Sequence, residues 1–210
     1  MVSNQDINAM YNFISFEGVE GCGKSTQAKK LYDYFLKNNQ DTILTREPGG
    51  TPLAEKIREL LLSDDFIRIC SKTEILLNYA ARKDHIKKLI QPALDLKKKV
   101  ISDRFFDSTF AYQGFGRDVN LELIAAIHKE ILKDFAPDIT FLIDIDLDIA
   151  LNRVKSRGNE NKFDLMGLEF HKKIKNGFLV IAKNNPDRIK IIDGNRDIEE
   201  IHQEILSYFI

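Results

Sequence analysis

Eight consecutive residues, Gly18-Val19-Glu20-Gly21-Cys22-Gly23-Lys24-Ser25, follow the spacing G-x-x-x-x-G-K-[ST], and the chemistry that spacing suits is phosphate binding. Glycines let the backbone turn tightly and aim its N–H groups at phosphate oxygens. A helix beginning after Gly23 adds partial positive charge at the same spot. In such a loop the lysine, here Lys24, reaches the β- and γ-phosphates, and the hydroxyl of Ser25 suits Mg²⁺. A glycine turn can match this spacing by chance, but the context argues for function. Phe13-Ile14-Ser15-Phe16 reads as a strand before the loop, and a helical pattern follows it.

Other residues suited to chemistry lie further along. Asp103-Arg104 ends an apolar run, where charges are costly unless paired or used. Arg104 offers a planar fork for phosphate. Asp103 suits either Mg²⁺, through water, or the orientation of Lys24 or Arg104; the structural alternative is a mutual salt bridge. Arg46-Glu47-Pro48-Gly49-Gly50 reads as a turn-forming loop whose Arg46 suits a substrate contact, and whose X-Pro isomer is not legible. Arg82, inside a helical pattern, reads from periodicity as an exposed helix residue. Arg153, Lys155, Arg157 and Lys162 surround Gly158-Asn159, as a solvated helix face or as a mobile basic lid over phosphates. Asn161-Lys162-Phe163-Asp164 imitates the N-K-x-D guanine-reading motif. It follows a charged, glycine-broken segment, and Asp164-Leu165-Met166-Gly167 overlaps it in the wrong order, so it reads as coincidence. His85, His128, His171 and His202 have neither zinc-ligand nor triad spacing.

The elements that must position these groups alternate. Strands are expected at Asn12–Phe16, Thr42–Arg46, Val100–Asp103, Ile139–Ile145 and Ile189–Asp193. Helices are expected at Lys24–Lys37, Leu53–Leu62, about Thr73 to Leu96 with a Ser71/Glu74 capping box, Leu121–Phe135 and Ile198–Phe209. Alternation of this kind predicts an α/β layered sheet with ligands at the carboxyl ends of the strands. The glycine loop, the Arg46 loop and Asp103-Arg104 each follow a strand, so they converge on one edge.

The 210 residues suit a single domain, 1–210, with a substantial core. A net charge of −1 gives no global field for nucleic acid or an anionic membrane, which favours a small nucleotide held by a local cluster. The polar start lacks signal-peptide regions, and no apolar run reaches membrane-span length. The two cysteines, Cys22 and Cys70, read as reduced thiols of a cytoplasmic protein, with a redox role for Cys22 as the alternative.

Taken in order, several segments resemble the thymidylate kinase family, with bacterial members nearest in pattern. They are Phe16-Glu17-Gly18-Val19-Glu20-Gly21-Cys22-Gly23-Lys24-Ser25-Thr26, Thr45-Arg46-Glu47-Pro48-Gly49-Gly50-Thr51, Tyr79-Ala80-Ala81-Arg82, and Asp103-Arg104-Phe105 with Ser108-Thr109 and Ala111-Tyr112-Gln113-Gly114. The likeness runs from about Asn12 to Ile205. It implies an α/β, P-loop NTPase-like three-layer fold with a five-stranded parallel sheet flanked by helices. It also implies a homodimer and the reaction MgATP + dTMP → MgADP + dTDP.

Carried over by position, the resemblance implies ATP on the loop from Gly18 to Thr26, with Lys24 and Ser25 serving ATP and Mg²⁺. It implies that Glu20 approaches the sugar 3′-hydroxyl of dTMP, that Arg104 bridges the two phosphates, and that Asp103 supports the metal. Arg46, Pro48 and Arg82 fall among the substrate contacts. Ser108 and Thr109 fall where the base is hydrogen-bonded, Tyr112 lies beneath the sugar 2′ carbon, and Gln113 completes the pocket. One branch of the family has Arg at the position of Gly21; the bacterial branch sends an Arg from a lid, here about 153–166. The usual lid arginine position carries Lys162, which passes that role to Arg157 or Arg153. Asn78 stands where a Phe usually stacks on thymine, with Phe66 or Tyr79 as substitutes. Readings set aside are another nucleoside monophosphate or deoxynucleoside kinase, a GTPase-type switch, and a DNA motor.

Overall fold

In this computed structural model the described residues are 11–63, 69–158, 163 and 166–210, with Arg157 described by its backbone alone. Five short strands, β1 Phe13–Glu17, β2 Thr42–Arg46, β3 Lys99–Asp103, β4 Ile139–Asp144 and β5 Ile189–Asp193, form one sheet in the order β2-β3-β1-β4-β5. All four pairings are parallel. β2 and β5 have the expected bounds, β1 is shifted by one residue at both ends, and β3 and β4 differ by one residue at a single end.

Side chains alternate across a strand, and here both faces are apolar. Phe13 and Val100 join a cluster with Ile75, Tyr79, Phe105 and Ile124 on one face. Ile14, Phe16 and Ile101 join another with Leu31, Phe35, Phe178 and Phe209. Helices therefore cover both faces. Burying two faces of a parallel sheet contributes most of the stabilisation, at roughly 25 cal/mol per Å² of apolar area.

The helix α1, Lys24–Lys37, buries the predicted stripe Ala28, Leu31 and Phe35. The helix α2, Pro52–Leu62, begins at Thr51, whose hydroxyl accepts from Ala54 N at 3.2 Å, with Pro52 at the first position where a missing N–H costs nothing. The helix α3, Ser71–His85, departs from expectation at its start. Its N-cap is Cys70, and the Ser71/Glu74 capping box does not form. Glu74 is buried instead and accepts a hydrogen bond from Gln113, a distant partner that outcompetes the local one.

The expected single helix to Leu96 is also divided. A π-helical segment, Ile86–Ile90, leads into α4, Gln91–Asp95. Pro92 has no N–H to give and crowds the carbonyl four residues earlier, so the widened turn precedes it. After β3 come α5, Phe106–Thr109, and a second π-helical segment, Phe110–Gly116. The helix α6, Leu121–Leu132, stops three residues short of expectation because Lys133 turns to φ 56°. The helices α7, Leu147–Arg157, and α8, Leu168–Asn184, precede β5. Last comes α9, Ile198–Leu206, capped by Asp197 and Glu200.

His128 on α6 packs with its ring centroid 4.4 Å from that of Phe106 and shares a 3.2 Å hydrogen bond with the Tyr79 hydroxyl. Burial holds its imidazole down at about 4, with Arg82 and Arg188 adding to the effect and Asp107 opposing it. An unfolded imidazole titrates near ~6.5. Between those values the unfolded chain binds the proton that the folded chain refuses, so stability falls as pH drops from about 6.5 towards about 4. His128→Phe is expected to lose this component. Its unfolding free energy relative to the parent, from denaturant titrations, should improve as pH falls; a difference constant across that window would refute the assignment.

Candidate active site

Loops after β1, β2 and β3 enclose a cleft of about 260 Å³. The turn after β1 depends on glycine where the chain passes α7. Gly21 has φ +75°, and a Cβ there would meet Ala150 O at 2.2 Å, so no side chain fits. Lys24, nearly buried, donates from Nζ to Val19 O at 3.0 Å and lies 3.8 Å from the Glu20 carboxylate. Arg46, Asp103 and Phe16 stand level in register, which brings the ends of three strands together. Ser25 Oγ donates to Asp103 Oδ2 across the first of those junctions.

Arg104 turns away from the strand at φ 72°, a left-handed conformation uncommon for a residue with a side chain. Its Nη1 donates to Gly18 O at 2.9 Å and Ser108 Oγ at 3.0 Å, and its Nη2 to Glu20 at 2.8 Å and the Tyr112 hydroxyl at 2.9 Å. The mutual Asp103–Arg104 bridge considered from sequence is absent: Asp103 serves Ser25, and Arg104 serves the opposite wall. Burial works against the guanidinium charge, but Glu20, Tyr112, Glu17 and Asp103 outweigh it and hold its pKa well above the usual value. Burial drives the Tyr112 phenol upward as well, with Arg104 opposing.

Behind Arg104 stands Glu17, buried at the end of β1. It accepts from Phe105 N at 2.7 Å and Ser108 Oγ at 2.6 Å, so it ties the segment bearing Ser108 and Thr109 to the sheet. Burial raises its carboxyl pKa, chiefly against the pull of Arg104.

Arg82 corrects the periodicity reading. It is only 3% exposed and lies on the same stripe as Ile75 and Tyr79, three to four residues apart. Glu47 makes that burial possible: Arg82 Nε donates to it at 2.5 Å, and Nη2 donates to Thr109 Oγ1 at 3.2 Å. Nη1 is buried and has no hydrogen-bond partner among the described residues. Glu47 also meets His85 Nδ1 at 3.1 Å, and the Glu47–Pro48 bond is cis. Arg46 is exposed and pairs with Glu55 at 2.9 Å.

The cleft collects most of the predicted residues: Glu20, Lys24, Ser25, Arg46, Pro48, Arg82, Asp103, Arg104, Ser108, Thr109, Tyr112 and Gln113. A second cleft adjoins it, lined by Gly21, Cys22, Gly23, Thr26, Gln27, Arg153, Arg196 and Ile198, and the two share Glu20, Lys24 and Ser25. The glycine loop thus forms the wall between two pockets. Gly18 and Val19 line neither and contribute carbonyls to Arg104 and Lys24. Burial raises the Cys22 thiol pKa, which argues against a redox role. The Arg157 side chain, Lys162, Phe66 and Asp164 lie outside the described residues.

Sequence reasoning missed Arg58, which lines the first cleft and donates to Pro48 O at 2.8 Å. It also missed the buried partners Glu17, Glu47 and Glu74. Arg58 had no signal, because an arginine beside an apolar stripe reads as solvated.

Residues 16–205 match the sequence profile of the family described as Thymidylate kinase. A thymidylate kinase of Ruthia magnifica is 45% identical over 193 residues, covering 92% of this chain and 94% of that protein. One from Caulobacter vibrioides is 45% identical over 189 residues, covering 90% and 91%. The crystal structure of thymidylate kinase from Ehrlichia chaffeensis superposes with a TM-score of 0.75 at 38% identity, covering 93% of this chain and 96% of that one. The chain belongs to the thymidylate kinase family. Its fold is the P-loop NTPase-like α/β arrangement expected from the resemblance. Against the thymidylate kinase pattern, Asn78 lines the first cleft where a Phe is usual, and its amide donates to Glu74 O at 2.9 Å. Tyr79 does not substitute for that ring. It is fully buried against His128, so among the described residues the aromatic groups on the cleft are Phe105, Tyr112 and Phe163.

Proposed function

We propose that this chain transfers the γ-phosphoryl group of MgATP to dTMP, forming ADP and dTDP and supplying dTTP synthesis. The observation that carries the reading is the pair of clefts sharing Glu20, Lys24 and Ser25. Two substrates on either side of one phosphate loop meet at their phosphates, which is what direct transfer requires.

The glycine loop from Gly18 to Thr26 holds the ATP phosphates, and Lys24 neutralises charge on the transferring group. Arg104 spans donor and acceptor. Arg46, Pro48 and Arg58 border the acceptor phosphate; Glu20 and Tyr112 border the sugar. Arg82, Ser108, Thr109 and Gln113 contact the base side, where Arg82 Nη1, without a hydrogen-bond partner among the described residues, suits a carbonyl or phosphate oxygen. Ser25 and Asp103 fit Mg²⁺, since a hydroxyl and a carboxylate in contact are the hard oxygen donors that ion takes beside phosphates. When bound, Mg²⁺ offsets phosphate charge; Lys24 and Arg104 supply the remainder from the protein.

The chain acts as one kinase domain, 1–210, with a lid at about 153–166. Arg153 on the second cleft and Phe163 on the first support a lid over both. A homodimer is supported by Leu53, Leu60 and Leu76, exposed on neighbouring α2 and α3. Among the described residues no helix is long and apolar enough to cross a membrane. A cytoplasmic enzyme acting without nucleic acid agrees with the net charge of −1.

The test is a coupled ADP-release assay with MgATP and dTMP, dUMP, UMP, dCMP, GMP or AMP. Preference for dTMP supports the assignment, turnover of another monophosphate overturns the base, and no turnover overturns the reaction. Asn78→Phe is expected to lower the KM for dTMP about two- to tenfold, since aromatic stacking adds about 0.5–1.5 kcal/mol. An unchanged or higher KM would show that the cleft holds the base without a ring at this position.

A further inference from the structure

Glu74 and Gln113 form a buried pair in the wall of the first cleft, 1% and 3% exposed. Gln113 Nε2 donates to Glu74 Oε2 at 3.2 Å, and the Arg117 guanidinium stands 3.5 Å from Glu74 Oε1. A carboxylate paired with arginine accepts hydrogen bonds and donates none. It therefore selects one of the two flips of the planar Gln113 amide. With the nitrogen bound to Glu74 on α3, the carbonyl oxygen is the pole of the amide left for another partner. Gln113 lines the cleft beside Asn78, Thr109 and Tyr112, so the pole offered to a ligand is an acceptor.

A buried acceptor demands a donor. Thymine and uracil carry N3–H on their imide edge. Neutral cytosine presents N3 as a bare acceptor, and two acceptors facing each other leave both unsatisfied. We infer that Glu74 is a specificity-determining positioning residue, which locks the Gln113 amide so that the pocket requires an imide N–H and rejects cytosine. This rests on the reading of the first cleft as the site of a pyrimidine monophosphate.

The lock exists because Glu74 cannot donate. Glu74→Gln keeps the shape and supplies both a donor and an acceptor, so either flip of Gln113 is satisfied. The expected result is a fall of about tenfold or more in the ratio of kcat/KM for dTMP to that for dCMP. It should come mainly from a lower KM for dCMP, with kcat for dTMP within about threefold of the parent. A purely structural role would lower both substrates together and leave the ratio unmoved, which would overturn the inference.

The parent protein gives a second test that needs no variant. A dTMP analogue with C–H in place of N3–H should lose about tenfold or more in kcat/KM. Equal use of that analogue overturns the inference, whether or not Glu74→Gln folds. A parent that phosphorylates neither dTMP nor dCMP refutes the reading of the reaction instead.

Discussion

Arg104→Ala is expected to lower kcat for dTMP phosphorylation about 10³-fold or more, with a much smaller change in the KM for ATP. Four hydrogen bonds, to Gly18 O, Ser108, Glu20 and Tyr112, aim its guanidinium at the wall shared by the two clefts. The Tyr112 ring, 5.0 Å from the guanidinium carbon, supports it from one face. Preorganised positive charge beside a transferring phosphoryl group acts where water is excluded and needs no reorganisation during the reaction. Arg104→Lys keeps a charge but loses the planar fork, and its ammonium cannot hold all four partners. It is expected to recover little of the rate. The left-handed backbone at this position is strained with any side chain, so Ala and Lys leave that cost unchanged. Single-turnover kinetics with folded variants would decide it: a loss under tenfold for Ala would remove Arg104 from the reacting centre.

Arg82→Met is expected to destabilise the fold by about 3–5 kcal/mol, the cost of leaving a buried charge without its partner. The stranded group is Glu47, 4% exposed between Arg82 and His85. Glu47→Gln in the Arg82→Met background removes the stranded charge and should recover much of the loss, whereas Glu47→Gln alone should not stabilise. Denaturant titration of the four proteins forms a double-mutant cycle, and additive losses would mean that the two groups are not coupled. The double variant should still show a raised KM for dTMP, because it lacks the substrate contact proposed for Arg82 Nη1. That separates its part in binding from its part in folding.

Much of this architecture follows from local pattern. The glycine spacing, the apolar strand before it and the stripe Ala28, Leu31 and Phe35 after it specify a phosphate loop on a strand–helix junction. Continuously apolar runs specify buried parallel strands, and all five lie within one residue of their expected ends. Sites at the carboxyl ends of such strands then follow from the fold class, which is why Asp103, Arg104 and Arg46 were legible.

Tertiary structure alone decided which charges are buried and what each one meets. Arg82 pairs with Glu47 35 residues away, Glu74 with Gln113 39 away, and Ser25 with Asp103 78 away. Helical periodicity reports which side of an element is apolar, over about two turns. It carries no information on whether a distant carboxylate will neutralise an arginine on that side. Without Glu47, burying Arg82 would be prohibitive and the exposed reading would hold. Gln113 and Arg117 engage the Glu74 carboxylate in place of its own helix start. Local backbone states are set by short-range sterics and hydration, whereas buried charge is permitted only by partners that the folded chain brings together.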